Sequence, residues 1–134
     1  MPIKKFNNLP IKPGFENLRI WQVAFKLMQT IHEICRTLPR QEYRLKDQAE
    51  RSSSAVPDEI SEGYGSYYFN EKNKCFYTAR REATETQNHL RKMEAKRCLT
   101  GQKADEVIGE YEGLIRGINA YINYIKQKSE TKKR

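Results

Sequence analysis

Little in this chain suits chemistry. Among 134 residues there are two histidines, one tryptophan and three cysteines, and Cys35, Cys75 and Cys98 form no CxxC pair. Metal sites need ligands clustered at set spacings, so no metal or other cofactor is expected. An odd number of dispersed thiols, with no apolar leader segment, predicts reduced cysteines and a cytoplasmic protein. Charged residues make up 31% of the chain and hydrophobic ones only 37%, and no apolar run is long enough for a membrane span or a buried strand. Proline is scarce after the start: three of five, Pro2, Pro10 and Pro13, precede residue 14. Because proline fixes φ and lacks the amide donor, residues 1–14 read as an extended arm that gains order only by docking.

Catalytic constellations are missing as well. Neither His32 nor His89 has the local partners of a nucleophilic triad, and both read as surface or boundary residues. Glu59 and Glu62, with Glu82 and Glu85 further on, could line a carboxylate di-iron bundle, but the Glu-x-x-His motif of such sites is absent. Gly63-Tyr64-Gly65 is too short and too aromatic to cradle a nucleotide phosphate. The sequence therefore points away from an enzyme.

What the chain has is positive charge and helical periodicity. Twenty-five bases against 17 acids give +8, a balance that favours polyanionic partners. The excess sits in residues 1–14 (+3), 71–97 (eight bases, four acids) and 126–134 (five bases, one acid).

Apolar residues recur at three- and four-residue steps through four segments, each the mark of an amphipathic helix. The first, Phe15 to Leu38, carries Leu18, Trp21, Ala24, Phe25, Met28, Ile31, Cys35 and Leu38, and ends at Pro39. Ile20, Leu27 and Ile34 widen this stripe beyond what one helix pair covers, which suggests contact with a second copy. The second, Gln41 to Gly63, has the narrow line Leu45, Ala49, Ser52, Val56 and Ile60, with Pro57 predicting a kink. A glycine-punctuated aromatic turn, Gly63 to Phe69, follows. The third helix, Asn70 to Cys98, has the line Phe69, Phe76, Ala79, Ala83, Leu90 and Met93. Thr100 reads as the N-cap of a fourth, with Ala104, Val107, Ile108, Tyr111, Leu114, Ile115, Ile118, Tyr121, Ile122 and Ile125 as its stripe. The expected fold is all-α: an antiparallel up-down-up-down four-helix bundle over 15–126, an extended N-terminal arm over 1–14 and a disordered basic tail over 127–134.

Two surfaces suggest binding. On the fourth helix Gly109, Gly113 and Gly117 fall opposite the apolar stripe, followed by Ala120 and Tyr124. Each interior glycine costs about 1 kcal/mol relative to alanine, which suits an oligomer interface shared with Ile20 and Leu27, although a helix held by so long a stripe could also tolerate them. On the third helix Lys74, Arg81, Lys92 and Lys96 share an arc opposite the apolar line. Tyr64, Tyr67 and Tyr68 lie beside Lys72 and Lys74, and rings next to cations favour unpaired RNA bases. Lys132, Lys133 and Arg134 extend this candidate interface. Glu85 within the arc leaves solubility and intrahelical pairing as the other explanation, and the rings could instead cap the bundle core.

Four segments carry a resemblance: Phe15-Glu-Asn-Leu-x-x-Trp21-x-x-Ala24; Val56-Pro57-x-x-Ile60-x-Glu62-Gly63-x-Gly65; Glu85-Thr86-Gln87-x-x-Leu90; and Ile118-Asn119-x-x-Ile122-x-x-Ile125-Lys126. In order and spacing they resemble the four-helix-bundle proteins of the 23S rRNA intervening-sequence family. The resemblance implies a homo-oligomeric, pentameric ring, and a related branch comprises accessory proteins of diversity-generating retroelements, which bind a reverse transcriptase and RNA. Asp58-Glu59 and Arg81-Glu82 depart from the Ser-Asn and small residues usual at those places. Two functions stand: an oligomeric RNA-binding bundle, or a protein-interaction scaffold, for example of a reverse transcriptase. Neither involves a membrane.

Overall fold

The computed structural model of the chain describes residues 14–132. Among them are four α-helices and no strand: α1 (Arg19–Arg36), α2 (Tyr43–Gly65), α3 (Phe69–Ala95) and α4 (Gly101–Lys132), with 3-10 turns at Gly14–Asn17 and Arg40–Glu42. Each helix packs on the next and α4 returns against α1, the neighbour order of an up-and-down bundle. The α4–α1 seam is the loosest. No helix among the described residues is long and apolar enough to cross a membrane.

The buried lines of α2, α3 and α4 follow the predicted stripes, but α1 is turned. Its buried residues are Ile20, Ala24, Leu27, Ile31, Ile34 and Cys35. Trp21 and Met28 are only half-buried, and Phe25 is exposed. At 100° per residue, Trp21 lies about a quarter turn from Ile20. Apolar residues cover so much of α1 that periodicity leaves its rotation open; packing against both α2 and α4 selects the Ile20–Leu27–Ile34 line. The rings displaced from the core stack on one another, Phe15 edge-on to Trp21 at 5.1 Å and Trp21 on Phe25 at 4.8 Å.

α2 and α3 approach closely because their facing residues are small. Ala49, Ser52, Ser53, Ala79, Ala83 and Thr86 are buried. Gly63 belongs to the same contact: a Cβ there would lie 2.8 Å from Phe76 Cε2 and 3.0 Å from Cys75 Cβ. The Ser52 and Thr86 hydroxyls bond each other across the crossing at 2.7 Å, and Thr86 also donates to the Glu82 carbonyl. A buried hydroxyl without a partner costs about 1–3 kcal/mol, so this pair fixes the register of the two helices. Pro57 is buried within α2, which runs through it unbroken.

The helix ends have local causes. After α3 the amides of Arg97 and Cys98 donate to the carbonyls of Glu94 and Met93, a Schellman stop that holds Arg97 at φ 61°. Thr100 caps α4 as predicted, its Oγ1 accepting from the Lys103 amide at 3.1 Å. The tail differs from expectation. α4 continues to Lys132 because Gln127 to Lys132 contains no breaker, and each residue added to a formed helix costs little. Lys133, Arg134 and residues 1–13 lie outside the described residues.

Candidate nucleic-acid interface

The basic arc of α3 divides into parts with different surroundings. Lys74 and Arg81 are exposed in its first half, and they border an open groove of about 540 Å³ with Tyr77, Thr78, Arg80, Thr84 and Ile115. Arg81 approaches Glu82 at 3.8 Å and lies near enough to Glu59 and Glu82 to favour both carboxylates. Arg80, which the arc omitted, is the best-positioned cation there. Its Nη1 donates to Asn119 Oδ1 at 2.6 Å, and its guanidinium lies 4.7 Å from the centroid of the Tyr77 ring. A guanidinium held from two sides loses little freedom on meeting a phosphate. Tyr77 three residues before Arg80 was the available signal.

Lys92 is exposed farther along α3. Lys96 pairs with Glu42 at 3.2 Å and ties the end of α3 to the start of α2. At 1.5 Å per residue, Lys74 and Lys96 stand roughly 33 Å apart, a length suited to tracking a strand of nucleic acid.

Lys72 has a structural task. Its Nζ donates to the Gly63 and Tyr64 carbonyls at 3.1 and 2.9 Å, and it lies 5.9 Å from the Tyr64 ring centroid. A cation on the last carbonyls of α2 satisfies acceptors that the helix leaves open and meets the negative end of its dipole. Tyr64 itself packs over Gly14, where a Cβ would overlap the ring. Tyr67 and Tyr68 remain open, 86% and 65% exposed, with their rings edge to face at 5.0 Å.

These two tyrosines form one wall of a second groove, of about 610 Å³, between the α2–α3 turn and the end of α4. Phe69, Lys72, Tyr121, Tyr124, Ile125 and Lys128 complete it. Tyr121 and Tyr124 face each other at 5.8 Å, and Lys128 lies 5.4 Å from the Tyr124 ring centroid. Burial raises the Tyr121 phenol, with Tyr124 and Tyr64 adding to the effect. Sequence reasoning missed Tyr121 and Lys128 here, because nothing local shows that the end of α4 meets the aromatic turn. Lys132 closes α4 beyond this groove; Lys133 and Arg134 lie outside the described residues.

The residues predicted for an oligomer interface do not form one surface. Ile20 and Leu27 are inside the protomer, 9% and 1% exposed, which leaves little of either for a second copy. Gly117 serves the α4–α1 contact, since a Cβ there would lie 3.0 Å from Ile20 Cγ2. Gly113 borders a groove of about 460 Å³ along that seam, no atom of the described residues lies within 4 Å of where a Gly109 Cβ would be, and Ala120 is exposed. Tyr124 belongs to the aromatic groove.

Packing α2 on α3 also gathers titratable groups that are far apart in sequence. Ligand atoms of Glu59, Glu62 and Cys75 all lie within 4.8 Å of one another, close enough to share a cation. Burial, with Glu62 next, raises the Glu59 carboxyl, while burial and both carboxylates raise the Cys75 thiol. The thiol is therefore protonated at neutral pH and would need to lose its proton to become a strong metal ligand. Glu82, raised by burial and by its hydrogen bond with Glu85, adjoins this group, so the two departures from the family pattern face each other across the crossing. His89 is buried, not a boundary residue, and its Nδ1 has no partner among the described residues; burial, then Lys92, holds its pKa low. His32 approaches Ser54 Oγ at 3.2 Å.

The fold and these surfaces define a class: an all-helical bundle whose open features include cationic and aromatic grooves on its outside. The chain belongs to the 23S rRNA-intervening sequence protein family, whose model matches residues 16–120. No curated protein matches the chain. Residues that carry the family resemblance have packing tasks here: Gly63 admits Phe76, Thr86 bonds Ser52, Gln87 donates to the Ile108 carbonyl and to Glu112, and Asn119 holds Arg80.

Proposed function

We propose that this protein is a non-catalytic, homo-oligomeric bundle that binds single-stranded RNA along α3, in the pentameric form implied by its family resemblance. The observation that carries this reading is the groove along the first half of α3. There Lys74 and Arg81 flank Arg80, which is already oriented by Asn119 and Tyr77. Cations spaced along a helix meet backbone phosphates, while the exposed Tyr67 and Tyr68 offer faces on which unpaired bases stack. A duplex keeps its bases stacked within itself, so the tyrosines favour single strands. The expected result is tighter binding of an unstructured RNA oligonucleotide than of a duplex of equal length. Replacing Tyr67 and Tyr68 by alanine should narrow that difference, with about 1–3 kcal/mol lost per stacked base. Absence of binding at low salt would overturn the reading.

A second reading, a scaffold or accessory subunit for a protein such as a reverse transcriptase, is favoured by the Trp21–Phe25 stack, which places a 37% exposed phenylalanine on the outside of α1. Purification with a bound protein and without nucleic acid would support it.

A further inference from the structure

We infer that the groove between the aromatic turn and the end of α4 is the docking site of this chain's own N-terminal arm, residues 6–13, through its proline and apolar side chains. The arm's point of departure is fixed. Gly14 sits against the Tyr64 ring so closely that any Cβ would overlap it. Lys72 lies over the same ring and forms part of the groove wall. The arm therefore leaves the described structure beside the groove's rim. At about 3.3 Å per extended residue, Phe6 has a reach of roughly 27 Å from Gly14, enough to traverse the groove.

The chemistry of arm and groove also matches. Phe6-Asn-Asn-Leu-Pro-Ile-Lys-Pro13 holds three large apolar side chains, Phe6, Leu9 and Ile11, with Pro10 and Pro13 in a P-x-x-P arrangement. Such segments favour the polyproline II conformation, pay little entropy on docking, and lay proline rings against aromatic faces. The groove supplies Tyr67, Tyr68, Phe69, Tyr121 and Tyr124. Its volume, about 610 Å³, lies within the roughly 300–1,000 Å³ range of pockets that enclose compact ligands. Its two lysines are engaged, Lys72 by the α2 carbonyls and Lys128 by the Tyr124 ring, which reduces their repulsion of Lys12. Docking would cover the exposed ring surfaces of Tyr67 and Tyr68 when no other ligand is present.

The test uses the full chain without RNA, so its outcome is separable from that of the RNA reading. Phe6 or Leu9 is replaced by the photo-crosslinker p-benzoylphenylalanine, and adducts are mapped after irradiation and trypsin digestion. The expected adducts join the arm to peptides 52–72 and 117–126, which carry the groove tyrosines, and run at monomer mass on a denaturing gel. Their yield should fall several-fold in a Tyr68→Ser/Tyr124→Ser variant, whose changes are at exposed positions and whose helicity is checked by circular dichroism. A Gly14→Ala variant, which crowds the tether against Tyr64 and replaces no groove-lining residue, should lower the yield as well. Adducts scattered over the bundle, adducts on the α1–α4 seam, a predominance of intermolecular products, or yields unchanged by these variants would each overturn the proposal.

Discussion

Single residues decide how tightly α2 and α3 meet and where the chain turns. Arg97 sits in the left-handed region at φ 61°, a conformation that costs an L-residue with a side chain about 1 kcal/mol. Arg97→Gly should therefore raise stability by about that amount, read as a higher urea midpoint with an unchanged slope. His89 gives a pH dependence. Its folded pKa lies below 6.5 because burial, then Lys92, disfavours the charged ring, with Glu85 acting in the opposite direction. As pH falls through the unfolded value the unfolded chain takes up the proton first, so this contribution is complete above about pH 6.5 and declines below it. The raised carboxyls of Glu59 and Glu82 act oppositely, since the folded state takes up their protons first as pH falls. His89→Leu should thus lose less stability than the parent between pH 7 and 5.5, measured by denaturation at several pH values. None of this was legible in the sequence. Burial of His89, the Ser52–Thr86 bond and the meeting of Cys75 with Glu59 depend on the rotation of two helices about each other, to which local pattern is blind.

At the scale of elements, all four helices were legible, and in α2, α3 and α4 the buried line was too, because polar residues bound it on both sides. The rotation of α1 was not, because Trp21, Phe25 and Met28 continue its apolar surface past the true core line, and only the presence of both neighbours selects it. The same cause explains the fate of Ile20 and Leu27, which the bundle itself buries. The tail departs from expectation for another reason: Gln127 to Lys132 have no apolar residue to bury, yet they extend a helix already nucleated. The glycines of α4 separate by environment. Gly117 receives Ile20, whereas among the described residues Gly109 has no close neighbour and Gly113 has the Arg116 side chain, 3.8 Å from a Cβ there. Gly109→Ala should stabilise the isolated protomer by about 1 kcal/mol. If the seam beside Gly113 receives another copy, Gly113→Leu should lower the sedimentation coefficient while leaving helicity intact; an unchanged coefficient would remove that face from the assembly.

At the scale of the molecule, the candidate interface was legible in outline. Lys74, Arg81 and the tyrosines of the turn were apparent from charge and spacing, but Arg80, Tyr121 and Lys128 required the fold, because their importance comes from Asn119 and the aromatic turn lying across from them. Lys72 and Lys96 counted as cations in the sequence but have partners within the bundle. The RNA reading therefore rests on a small number of cations, which makes it open to direct measurement. Each phosphate neutralised on a single strand contributes about −0.7 to the slope of log affinity against log salt. The decisive measurement compares that slope, for one unstructured RNA oligonucleotide, between the parent chain and a Lys74→Ala/Arg80→Ala/Arg81→Ala variant. The account predicts weaker binding and a slope shallower by about 2 in the variant; equal slopes would contradict it.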